Sequence, residues 1–196
     1  MRPLAITDTR LRNRPQAGSI LLETMIASAL MLIVAAGVMC LTVTALTTTE
    51  NQGHLMARTA EYSQDKIEQL MALAYCDSST DTTQLPSQPS GGTGLAGCPV
   101  ALVSPATGTG LGGSSDPSNP VAGYVDYLDA TGKLVVGTGG NAPTNWFYIR
   151  TWQISAGPGG VTSMKQIAVT TRVTNEAGSG GTIPQTTVVT LKAYPF

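Results

Sequence analysis

The stretch RPQAGSILLETMIASALMLIVAAGVMCLTVTAL, Arg14–Leu46, carries one full charge after Arg14, the carboxylate of Glu23. From Ile20 to Leu46 the only other ionisable side chain is the weakly acidic thiol of Cys40. A helix over those residues spans roughly 40 Å, more than the ~30 Å of a bilayer core. The pattern predicts one transmembrane segment at about 20–46. Arg2, Arg10, Arg12 and Arg14 precede it against Asp8 alone, and the positive-inside bias keeps that end in the cytoplasm and everything after the span outside. A secretory signal peptide has a shorter apolar region, about 7–15 residues, closed by a small-x-small cleavage site; neither feature is found. Cys40 follows Val38 and Met39, whereas a lipid-modified cysteine generally follows a small residue.

Glu23 needs a separate explanation, because an acidic side chain inside a membrane helix costs about 2.5–3.5 kcal/mol. Helix capping does not supply it: with Ser19 as N-cap, the reciprocal acid belongs at Leu22, one residue earlier. The helix dipole returns under ~1 kcal/mol in an exposed first turn. A cation from another chain is sufficient. If the chain is cut after Gly18, Ser19 carries a new α-ammonium, and Glu23 of one subunit can neutralise the Ser19 amine of its neighbour.

In these residues the chain resembles the type IV pilins and pseudopilins. Those proteins share a short basic leader, a glycine before the cut, an apolar helix and a glutamate at the fifth position after the cut, which here read as Arg10, Arg12 and Arg14, Gly18, the run from Ser19, and Glu23. The resemblance implies a leader at 1–18, cleavage between Gly18 and Ser19 by a membrane-embedded prepilin peptidase, N-methylation of Ser19, and an assembly role for Glu23. Many pilins have a proline where this chain has Cys40. The segment AEYSQDKIEQLMALAY, Ala60–Tyr75, and the later YIRTWQISAGPGGVTSMKQIAVTTRV, Tyr148–Val173, resemble PilV-type minor pilins in particular.

Beyond the span, Met56, Ala60, Ser63, Ile67, Leu70 and Ala74 recur at three- and four-residue spacing, while Arg58, Glu61, Asp65, Lys66 and Glu68 fall on other faces. That is an amphipathic continuation, with the helix expected from Ser19 to about Tyr75, on the order of 85 Å. Thr42, Val43, Thr44, Thr47, Thr48 and Thr49, followed by Gly53, are a weak region of low helix propensity. Residues 76–122 are dense in Ser, Thr, Gly and Pro and read as a loop region. Within it Gly108, Gly110 and Gly113 satisfy GxGxxG without the preceding strand and following helix that a dinucleotide site requires. Cys76 and Cys98 lie in an exported, disulfide-permissive region and are a possible bridge, with both thiols free as the alternative; Cys40 is left in the span.

The remaining 123–196 read as an antiparallel sheet head: GYVDYLDATGKLVVG suggests a hairpin turning at Asp129–Gly132, and Trp146–Ile154, Ile167–Val173 and Thr187–Ala193 are β-rich. The expected fold is therefore α+β and pilin-like, a long N-terminal helix packed on a small antiparallel sheet. Trp146, Tyr148 and Trp152 are placed on one strand face, a partner or carbohydrate surface or, in the favoured reading, core.

No enzyme is expected, since His54 is the only histidine and no nucleophile, base and orienting group occur together. No metal-ligand spacing or cofactor motif is present. Of 11 basic and 12 acidic residues, loss of 1–18 removes four Arg and one Asp, leaving a net charge of about −4, which opposes nucleic-acid binding. The reading is a minor pilin, inserted in the inner membrane with its C-terminal domain in the periplasm, then assembled into or at the tip of a filament at the cell surface. Its expected partners are other pilin subunits, prepilin peptidase, the inner-membrane assembly platform and lipid. The alternatives are a type II secretion pseudopilin and, in another class, an uncleaved membrane-anchored binding protein or adhesin.

Overall fold

The computed structural model describes residues 17–99, 102, 108–135, 142–174 and 183–195; residues 1–16 of the expected 1–18 leader lie outside these. Residues 1–49 and 50–196 form two compact units. One helix, α1 (Ala17–Met71), contributes to both.

In the first unit α1 is exposed at every residue from Ile20 to Thr49, and its most apolar 18-residue window has a mean hydropathy of 2.5. It is long and apolar enough to cross a membrane. The threonine-rich stretch, expected to weaken the helix, does not interrupt it. The hydroxyls of Thr42, Thr44, Thr47, Thr48 and Thr49 donate to the carbonyls of Val38, Cys40, Val43, Thr44 and Ala45, one turn back, at 2.8–3.1 Å. These bonds satisfy the hydroxyls within the helix itself, so threonine can occupy an apolar helix at little cost.

In the second unit an antiparallel sheet packs on the C-terminal part of α1. Its strands are β1 (Gly112–Gly113), β2 (Val125–Leu128), β3 (Leu134–Val135), β4 (Tyr148–Gly157), β5 (Val161–Val173) and β6 (Gln185–Ala193). The order is β3-β2-β4-β5-β6, with β1 also pairing β4. The expected hairpin is the β2–β3 connection, in register at Tyr127–Val135 and Leu128–Leu134. Asp129 Oδ1 accepts the amides of Thr131 and Lys133 and the Thr131 hydroxyl, fixing the turn. Gly132 then adopts φ +85°, and its missing Cβ leaves room for the Tyr62 ring of α1.

Two apolar clusters join helix and sheet. Leu70, Leu95 and Tyr124 meet Trp152, Ile154, Ile167 and Val169; Tyr62 meets Leu128, Tyr148 and Val173. Each such side chain contributes about 1.5–3 kcal/mol by leaving water. Tyr148 and Trp152 are therefore core. Trp146 precedes β4 and packs edge-on against Tyr127, 5.7 Å between ring centres.

The helix stripe differs from the expected one. Of the expected positions Ser63 and Leu70 are buried, Ala60 and Ile67 half-buried and Met56 and Ala74 exposed, while Thr59, Tyr62 and Lys66 are buried as well. Lys66, placed by periodicity on a solvent face, is 1 % exposed. The helix also stops at Met71 rather than near Tyr75, and the described residues of 76–122 hold more structure than a plain loop. Asp81 and Gln88 form a bridge, β1 pairs Gln153 and Ile154, and Cys76 is bonded to Cys98 across 22 residues.

Candidate functional site

Two places carry chemistry that the fold does not require for simple packing: the lone carboxylate of the apolar helix and the cations buried in the head.

Glu23 lies on α1 among Leu22, Ile26 and Leu30, all exposed. Among the described residues the ion pairs are Arg58–Glu61, Lys66–Asp126 and Arg150–Asp126, and none involves Glu23. Gly18 and Ser19 lie in the first turn of α1, four residues before the carboxylate in the case of Ser19. At a spacing of four residues the Ser19 and Glu23 positions fall on one face of the helix, a turn apart. Cys40 is a free thiol on the exposed helix. His54 is also exposed, with no bonded partner among the described residues.

In the head, Asp126 of β2 sits between two cations. Arg150 of β4 donates Nε and Nη2 to its two oxygens at 2.7 and 2.8 Å, and Lys66 of α1 donates Nζ at 2.9 Å. The cluster is short of one negative charge. Neutral acceptors make up the difference: Lys66 also donates to Gln69 Oε1 at 2.9 Å and to the carbonyl of Thr82 and lies over the Trp152 ring, 3.9 Å from its centre. Arg150 reaches the Tyr62 carbonyl at 3.3 Å. Burial pushes Lys66 down to about 8, against the pull of Asp126. Burial would raise Asp126, but Arg150 and Lys66 more than offset it and hold the carboxyl below its usual range. The three side chains tie α1, β2, β4 and the Thr82 turn at one point.

Lys165 of β5 is 2 % exposed and donates to three carbonyls, Tyr75 at 2.7, Leu95 at 2.6 and Gly97 at 2.5 Å. Its cross-strand neighbour Lys192 donates to the carbonyls of Met71 and Leu73, both at 2.6 Å. The last turn of α1 has no basic residue of its own. The sheet supplies one, Lys192, whose ammonium meets the last carbonyl of the helix and the negative end of its dipole.

Comparison with protein-family models, with curated proteins and with solved structures finds no match to this chain. Its chemistry has to be read from its own residues.

Among the described residues no group of three or more His, Cys, Asp or Glu is placed to hold a metal ion. The GxGxxG glycines serve close packing instead. A Cβ on Gly108 would meet the Ala96 carbonyl, on Gly110 the Pro99 ring, and on Gly113 the Trp152 carbonyl. The buried cations escaped the sequence reading, although a signal exists: Arg150 alternates with Tyr148 and Trp152, and Asp126 lies between Val125 and Tyr127. Opposite charges on the inward face of strands point to a buried pair.

Proposed function

We propose that this chain is a minor pilin or pseudopilin, a structural subunit that is cut between Gly18 and Ser19 and assembles through its apolar helix. The observation that carries the reading is Glu23, one carboxylate on a membrane-length helix with no intrachain cation among the described residues. In lipid such a group is neutralised by a partner or protonated. The amine of Ser19 on an adjoining protomer is the cation that the sequence can provide, and it exists only after the leader is removed.

The α+β class supports the same reading, since a long apolar helix and a small antiparallel sheet are the parts that the resemblance to pilins implies. The precursor sits in the inner membrane with the head in the periplasm and then moves into a filament. The test is Glu23→Ala in cells. The expected product is cleaved normally and absent from sheared filaments, with an unchanged head; wild-type incorporation would remove Glu23 from the assembly step.

A further inference from the structure

Lys165 makes its three bonds at an unusual place. Tyr75 immediately precedes Cys76, and Gly97 immediately precedes Cys98, so one ammonium holds the carbonyls on the N-terminal side of both bonded cysteines. The third carbonyl, Leu95, belongs to the same neck. The main-chain carbonyl of Asp77, just past Cys76, accepts the amides of Leu95 and Gly97 at 2.8 and 2.9 Å, so the two necks are also joined on their other side. Lys165 is held in turn by its pairing with Ala156 of β4 and Lys192 of β5's other neighbour, β6. Its side chain lies 4.7 Å from the centre of the Tyr75 ring. None of these bonds involves a sulfur atom.

We infer that Lys165 is a positioning residue for the Cys76–Cys98 disulfide, gathering the two necks so that the thiols face each other before they are oxidised. The oxidant is a small disulfide such as oxidised glutathione. One cysteine thiolate attacks it and releases one glutathione thiol, and the second cysteine displaces the other. The two cysteine sulfurs lose two electrons, the glutathione S–S bond breaks, and the two cysteine protons end on two glutathione thiols. Holding the reacting groups together raises their effective concentration and shifts this equilibrium towards the protein disulfide.

The test equilibrates the full-length protein in detergent micelles with glutathione redox buffers, traps thiols by alkylation and reads the Cys76 and Cys98 peptides by mass spectrometry, which keeps Cys40 separate. Lys165→Met is expected to lower the equilibrium constant for the disulfide at least tenfold. Lys192→Met, which removes two carbonyl contacts at the helix end but none beside a cysteine, is expected to leave it within twofold while lowering the melting temperature. An unchanged constant in Lys165→Met overturns the assignment. So does an equal fall in both variants, which would mark a general loss of stability. Where Lys165→Met fails to fold, Lys165→Gln, one atom shorter and one donor poorer, is expected to lower the constant less than tenfold but clearly more than Lys192→Met does, and a constant equal to that of Lys192→Met overturns the assignment.

Discussion

Replacing Asp126 by asparagine keeps the shape of the side chain and removes the one negative charge that two buried cations share. Arg150 loses a bidentate acceptor, at 2.7 and 2.8 Å, and Lys66 an oxygen at 2.9 Å. The asparagine amide turns N–H groups towards a cation on one side whichever way it is flipped. Breaking a buried pair from one side costs about 3–5 kcal/mol. In a unit of this size each kcal/mol shifts the melting temperature by about 2–4 °C, so a fall of roughly 6–20 °C is expected. Because Trp152 lies against Lys66, its fluorescence reports the head while α1 stays in a micelle. A double variant that also replaces Lys66 by methionine should recover part of the loss, since it removes the cation left without a counter-charge. A fall below ~3 °C in Asp126→Asn would refute the view that the triad is a coupled charge cluster.

Head stability should rise between about pH 7 and pH 9. Lys66 and Lys165 both have folded pKa values lowered to about 8 from 10.5, so the unfolded chain binds more protons in that window. The gain is on the order of 1 kcal/mol per lysine. Above about pH 10 the trend should reverse, because burial raises Tyr75, Tyr127 and Tyr148 and the unfolded chain then loses tyrosine protons first; urea titrations across pH 6–11 check both limbs, and a flat profile would contradict them. Removing the disulfide with Cys76→Ser and Cys98→Ser should cost about 3 kcal/mol for a loop of this length, read as a lower urea midpoint. Gly132→Ala places a methyl group against Tyr62 at positive φ and should cost about 1–3 kcal/mol; a neutral result would mean that the hairpin can move off the helix.

The features that were legible from sequence are those with a local physical signature. The apolar run around Glu23, the Asp129–Gly132 turn and the β-branched strands at Ile167–Val173 declare themselves through composition and period. The α+β class followed from joining them. Periodicity misplaces Lys66 because it sorts helix residues by polarity, and a lysine whose charge is met by Asp126, sixty residues later, breaks that sorting. The end of α1 was set too late because Leu73 and Ala74 continue an apolar pattern, while the carbonyls that end the helix are taken by Lys192 from the far strand. Gly112 and Gly113 have no β propensity to read. They become a strand only because β4 offers an unpaired edge there and Tyr124 packs where their side chains would be.

The central claim is that a membrane-embedded acid meets an amine created by cleavage. Mass spectrometry of the N-terminal peptide of protein isolated from its native membrane or filaments tests it most directly. The account predicts a chain that begins at Ser19 with a methylated α-amine. A chain that still begins at Met1 would leave Glu23 without its counter-ion and contradict the account.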